Sequence, residues 1–209
     1  MNRLLPQLLS QRLAAGLPGP KAGTRFGSRP PFWPYYDPPS DARRAAVLVL
    51  LYPHDGRWRL PLTLRPAHLA DHPGQVSLPG GAIEPGENSR QAAVREFHEE
   101  LGAAATQIEM LGELSPLFVP ASNFRVASWV ATTAERPRFD PNPAEVEELI
   151  EVPLGHLVDP ANLDSHTRRD QDGRYTAPHF IWEPHRIWGA TCLILGELVM
   201  VVEGLGIEI

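Results

Sequence analysis

The stretch that most limits what this chain can become is residues 80–103, GGAIEPGENSRQAAVREFHEELGA. Gly80, Gly81 and Gly86 admit backbone conformations that a Cβ penalises, so the stretch opens as a glycine-rich turn. Asn88 or Ser89 is placed to accept hydrogen bonds from the free amides of a helix start. Gly102 suits the left-handed residue just beyond a helix end. The spacing therefore predicts a turn, an acidic helix and a glycine stop. Ala93, Phe97 and Leu101 lie four apart and form an apolar stripe, with Val94 beside Phe97.

Three carboxylates, Glu96, Glu99 and Glu100, crowd another face of that helix. Like charges three or four apart cost about 0.2–0.5 kcal/mol per pair on a bare helix. One reading is a solvated acidic face, the usual meaning of a charge run. The other is a cage for a hard divalent cation, which takes carboxylate oxygens together with water and substrate phosphates. The glycine turn at fixed distance and the lone Arg95 at the head of the cluster favour the cation.

The pattern Gly81-x5-Glu87-x7-Arg95-Glu96-Phe97-x-Glu99-Glu100-x-Gly102-Ala103 resembles the Nudix box. Phe97 and Ala103 stand in apolar slots where a branched aliphatic is more usual. So many fixed positions make this far more specific than a lone glycine motif. The preceding segment, Leu62-Thr63-Leu64-Arg65-x8-Gly74-Gln75-Val76-Ser77-Leu78-Pro79-Gly80-Gly81, resembles the signature of the coenzyme A pyrophosphatase branch of that family. It departs at Pro66, Ala70 and Leu78, where a small residue, a basic residue and phenylalanine are usual. The cation absent at Ala70 bears on the 3′-phosphate of coenzyme A; Arg65, Arg43, Arg44 or Arg125 are the candidates to replace it. Arg44–Leu48, Asn142–Val146, Val152–Leu154 and Ile187–Thr191 continue the resemblance.

The resemblance implies an α/β/α sandwich with a mixed sheet and metal-dependent hydrolysis of a nucleoside diphosphate linked to another group. Glu96, Glu99 and Glu100, with the carbonyl of Gly80, would hold Mg²⁺ or Mn²⁺, and Arg95 would orient the carboxylates. Glu87 is expected to be structural. The general base is open between Glu99 and an acid outside the box, Glu145, Glu147 or Glu148. Arg65 either grips the diphosphate, for which arginine is the better cation, or pairs with an acidic neighbour. Gln75 contacts substrate or braces its loop, and Arg44 and Arg125 complete the substrate set. The branch implies coenzyme A, cleaved to 3′,5′-ADP and 4′-phosphopantetheine. ADP-ribose or a dinucleotide, or a non-catalytic nucleotide sensor, are the alternatives.

The rest of the sequence is consistent with a substantial single core. It has 209 residues and a net charge of −6, without the basic stripe that nucleic-acid binding requires. Cys192 is the only cysteine, which precludes an intrachain disulfide and suggests a buried thiol in a reducing, cytoplasmic setting. No apolar run approaches the roughly 18 residues of a membrane span, and the histidines lack zinc-like spacing. The expected partner is a small nucleotide diphosphate, with the chain a monomer or homodimer.

Residues 1–40 are expected to form a helix, interrupted early by Pro6, and a Pro-rich arm carrying Phe32, Trp33, Tyr35 and Tyr36, both packed on a domain spanning 41–209. Ala45–Tyr52 and Trp58–Arg65 predict a hairpin around Pro53–Gly56. Ile108–Val119 and Phe124–Thr133 predict two strands, and Ile150–Pro153 and Phe180–Trp182 two more. Pro143–Leu149 predicts a short helix, Asp159–Tyr175 a long polar loop, and Trp188–Leu205 a helix covering the sheet. Mixed strands with helices on both sides give a three-layer sandwich.

Overall fold

The computed structural model describes residues 1–19, 38–68, 72–104, 107–170 and 173–209. The aromatic arm and Ala70 lie outside the described residues. The central strand is β1 (Arg43–His54), and its side chains alternate between two cores. Ala45, Val49 and Leu51 face one, and Ala46, Leu48, Leu50 and Tyr52 face the other. A strand covered on both sides needs apolar residues at every position, which is why 45–52 is continuously apolar.

β1 turns at Asp55-Gly56 into β2 (Arg57–Leu64), both turn residues having positive φ (49° and 71°) as a two-residue hairpin requires. β3 (Val76–Ser77) pairs with the last residues of β2, on the same edge as β1. β4 (Gly80–Ala82) lies antiparallel to the first half of β1. On its other side β1 runs parallel to β7 (Phe124–Thr132), which pairs with β5 (Glu109–Glu113) and β6 (Leu117–Val119). The strand expected over 108–119 is thus broken in two. A register shift occurs between Met110 and Gly112, where Leu13 packs so closely that a Cβ on Gly112 would lie 2.9 Å from its Cβ.

Helix α2 (Ser89–Leu101) covers one face. Asn88 caps it by accepting from the Gln91 N–H while the Gln91 side chain accepts from the Asn88 N–H, and Gly102 ends it at φ 65°. Ala92, Ala93, Phe97 and Leu101 are buried against β1, and Trp129 Nε1 donates to Ser89 Oγ at 3.2 Å, pinning the helix start over β7. The other face is covered by α1 (Leu5–Ala15), α3 (Leu154–Val158) and α4 (Gly189–Glu203). Pro6 does not interrupt α1, because it sits in the first turn, where its missing N–H has no helical partner to lose. Leu5, Leu9 and Leu13 are buried, and Cys192 is a buried free thiol. The buried Glu197 carboxylate accepts from the N–H groups of Gly19 and Ser115 and from Ser115 Oγ, tying α4 to residues before β1 and between β5 and β6.

Two further segments differ from expectation. Pro143–Leu149 forms no helix: the Val146 N–H reaches Asn142 O to close a single turn. The chain then enters β8 (Glu148–Pro153), whose ladder with β2 claims the following backbone groups. The polar stretch 159–175 is not a loop. β9 (Leu163–Asp170) pairs with β10 (Gly173–Trp182), and β11 (His185–Trp188) completes a three-stranded antiparallel sheet. The result is a mixed sheet between helical layers, an α/β/α sandwich.

Candidate active site

The site is assembled where α2 lies over β4. Gly81 is paired with Ala46 on β1, and a Cβ on Gly81 would stand 2.4–2.6 Å from the Glu96 carboxylate atoms. Glycine is required because the carboxylate occupies the space a side chain would need. Gly80 is required for another reason: its Cβ would fall 2.3 Å from the Ala46 carbonyl oxygen. One glycine therefore admits a functional group, and its neighbour admits the backbone of the central strand.

Arg95 is the hub of the acidic face. Its Nη1 donates to Glu96 Oε1 (2.9 Å) and Glu99 Oε2 (2.8 Å), and its Nη2 to Glu87 Oε1 (2.7 Å) and the Ala82 carbonyl (3.0 Å). Nε donates to the second oxygen of Glu87 at 3.2 Å. The grip on Glu87 is bidentate and holds its carboxyl below the usual range; Glu87 also accepts from the Glu84 N–H, locking the turn. Arg95 thereby fixes both the turn and the orientation of two box carboxylates.

Glu100 points inward and is almost fully buried. Burial pushes its carboxyl up to about 8; the Gly80 N–H and Arg65 oppose the shift, while the charges of Glu96 and Glu145 add to it. One of its oxygens accepts from the Gly80 N–H at 3.4 Å, and the other, Oε2, is buried without a hydrogen-bond partner. Glu96 is also raised, chiefly by burial, with Arg95 opposing and Glu99 and Glu145 contributing. Glu145 joins from the turn before β8, where Asn142 Nδ2 donates to its Oε1 at 3.0 Å.

Glu96, Glu99, Glu100 and Glu145 therefore share one electrostatic neighbourhood, in which burial and mutual repulsion outweigh Arg95 and Arg65 at Glu96 and Glu100. Among the described residues, no three acidic or histidine side chains converge closely enough to ligate one ion; Arg95 bridges Glu96 and Glu99 instead. The orphaned Glu100 oxygen and the all-oxygen donor set fit a hard cation such as Mg²⁺ or Mn²⁺.

Arg65 is brought to Glu100 through its charge. Its N–H donates to the Gln75 carbonyl and its carbonyl accepts from the Gly74 N–H, both at 3.0 Å, so Gln75 is braced beside it through backbone. Arg44 and Arg125 are Cα partners in the parallel β1–β7 pair. They share the α2 face with Ala46 and Ala127, one same-face step from the Gly81–Ala46 pair over which Glu96 lies. Arg125 also acts on Glu113, whose carboxyl is raised by burial against that attraction. Glu148 is engaged elsewhere, by His185 Nε2 at 3.0 Å. That pair has no signal in the sequence, because it joins segments whose pairing only the fold defines, whereas the Asn142–Glu145 bond is local to one turn.

Residues 42–180 match the family description "NUDIX domain". The chain is 38% identical over 154 residues to the mitochondrial coenzyme A diphosphatase NUDT8 of Homo sapiens, covering 72% of this chain and 65% of that one. It is 36% identical over 159 residues to the protein of the same name in Mus musculus, covering 72% and 73%. It is 35% identical over 181 residues to the uncharacterized Nudix hydrolase NudL of Pectobacterium atrosepticum, covering 85% and 91%. The chain thus spans just under two thirds of the human relative's length. The chain belongs to the Nudix family. Its similarity falls in the branch that the segment ending at Gly81 resembles, the one containing relatives named coenzyme A diphosphatases. Among the described residues, no helix is long and apolar enough to cross a membrane.

Proposed function

We propose that this protein hydrolyses the diphosphate of coenzyme A or its derivatives to 3′,5′-ADP and 4′-phosphopantetheine, using Mg²⁺ or Mn²⁺ held by Glu96, Glu99, Glu100 and the Gly80 carbonyl. The observation that carries the reading is the buried Glu100 carboxylate, with one oxygen unpartnered, beside a Glu96 carboxylate seated on Gly81. When bound, the cation neutralises diphosphate charge and makes water a stronger nucleophile.

The chain's own residues supply the rest. Arg95 positions Glu96 and Glu99 and holds the turn closed through Glu87. Arg65, braced by Gln75, offers a bidentate grip to the diphosphate. Glu99 or Glu145 takes the proton of the attacking water, whose oxygen adds to one phosphorus as the bridging P–O bond breaks. Arg44 and Arg125, side by side in register, present two cations to the anionic nucleotide end, which carries the 3′-phosphate. In this reading the two arginines take the place of the cation absent at Ala70.

The test is a panel of coenzyme A, dephospho-coenzyme A and ADP-ribose, each with Mg²⁺ and with Mn²⁺. Preference for coenzyme A, with the two named products, supports the reading. Indifference to the 3′-phosphate would shift it to ADP-ribose or a dinucleotide. Turnover of none would make the chain a nucleotide sensor.

A further inference from the structure

A cleft of about 430 Å³ opens between Gly74 and Val76 on one side and β10 and β11 on the other. It begins at the residue next to Gln75, and the backbone there is bonded to Arg65. Val76, Ile181 and Trp188 give it apolar walls. Trp188 is held in place: the Arg168 guanidinium stacks on its ring at 4.1 Å and the His166 ring meets it edge-on. The polar groups at the walls are Asp164, His179, Glu183, His185 and Arg186.

We propose that this cleft holds the neutral, amide-bearing pantetheine arm of the substrate; the assignment rests on the coenzyme A reading above. Charge separates the two ends of the substrate. On one side of the box, Arg44 and Arg125 stand together and suit an end carrying phosphates. In the cleft, Arg186 is offset by Asp164 and Glu183, and His185 is taken by Glu148. Burial and Arg186 bias His179 towards its neutral form, against the pull of Asp164. Between Arg65 and Arg90 the chain carries no lysine or arginine, so the loop that forms the near wall adds no cation.

A lining without net positive charge does not select a phosphate. It does suit a chain of amides separated by methylenes and methyls. Arg186 can donate to an amide carbonyl and Asp164 can accept from an amide N–H, while Val76, Ile181 and Trp188 take the apolar links. The Asp164 side chain accepts from the Ser165 N–H at 2.7 Å, which orients its carboxylate, and the residue is exposed.

The test is calorimetric titration of 4′-phosphopantetheine and, separately, 3′,5′-ADP into the wild type, Arg186→Glu and Asp164→Ala, with folding checked by circular dichroism. Arg186 is exposed, so its substitution leaves the core untouched. Each variant is expected to weaken 4′-phosphopantetheine about tenfold, the effect of losing one hydrogen bond to a charged group, and to leave 3′,5′-ADP within about twofold. Equal weakening of both ligands, no weakening of either, or no binding of 4′-phosphopantetheine to the wild type would overturn the assignment. Hydrolysis of coenzyme A by the wild type is scored independently. If it proceeds while both variants bind the arm normally, the cleft assignment alone falls. If coenzyme A is not cleaved, the parent reading falls.

Discussion

Adjacent glycines offer the sharpest perturbation, because replacing each with alanine should fail in a different way. At Gly81 the added Cβ meets only the far end of Glu96, at 2.4–2.6 Å, and a flexible side chain can swing aside. The fold should survive, with a stability loss below about 1 kcal/mol, while Glu96 leaves its seat; misplacing a catalytic group by about 1 Å costs about a hundredfold in rate. At Gly80 the Cβ meets the Ala46 carbonyl at 2.3 Å and the Val47 Cα at 2.7 Å, in backbone that cannot swing. Overpacking of this kind costs about 1–3 kcal/mol, and the positive φ of 156° adds about 1 kcal/mol for a residue with a Cβ. A total near 3 kcal/mol lowers the melting temperature by about 6–12 °C in a chain of this size. Thermal melts and coenzyme A turnover measured on the same preparations separate the cases. Gly81→Ala should melt near the wild type with about a hundredfold lower kcat, and Gly80→Ala should melt far earlier. Normal turnover by Gly81→Ala would refute the claim that Glu96 must sit on Gly81.

Three other outcomes are expected. Glu99→Gln should keep the fold and lower kcat by about two to four orders of magnitude, the range for losing a group that moves a proton; near-normal steady-state rates would remove Glu99 from the site. Arg65→Ala should raise KM for diphosphates about tenfold through loss of a charged hydrogen bond, and unchanged kinetics would return Arg65 to a bracing role. The third concerns His166 and His179, whose Nδ1 atoms lie 3.2 Å apart. Burial lowers both, with the charge of Arg186 adding and that of Asp164 opposing; His166 is lowered further by His179 and Arg168. The unfolded chain, titrating near the ordinary value of 6.5, then binds more protons than the folded one. The contribution of this pair to stability should be full above about pH 6.5 and fall as pH drops through the lower folded values, opposite in sign to that of the raised carboxyls of Glu96 and Glu100. The difference in melting temperature between the wild type and His166→Asn, followed from pH 8 to 5, checks this: the wild type should lose ground to the variant as pH drops, and a difference that does not change with pH would contradict it.

How far the sequence could be read depends on where the decisive contacts lie. α2 was legible because its signals are local: Asn88 and Gly102 cap it within its own stretch, and Phe97 and Leu101 show which face is buried. β1 was legible because both faces are covered, so eight successive residues are apolar or nearly so. The β9–β10 hairpin was not, because Asp164, Thr167, Arg168 and Arg169 of β9 are all exposed, and polarity on both faces erases the period of two. Pro143–Leu149 has a helix-like start, but the ladder with β2 claims its backbone after one turn. In the site, the carboxylate partners of Arg95 lie one, four and eight residues from it in the same stretch and could be anticipated. The side-by-side placement of Arg44 and Arg125, the seat of Glu96 on Gly81 and the His185–Glu148 pair depend on register between distant strands, which a single sequence does not carry.

The central claim is that the acidic face of α2 takes a divalent cation together with a diphosphate. Its most direct test is Mn²⁺ binding followed by electron paramagnetic resonance, with and without ADP, in the wild type and in Glu96→Gln and Glu100→Gln. The account predicts bound Mn²⁺ in the wild type, tightened by ADP and lost in both variants. A wild type that takes up no Mn²⁺ in the presence of ADP, or variants that bind it as well as the wild type does, would contradict it.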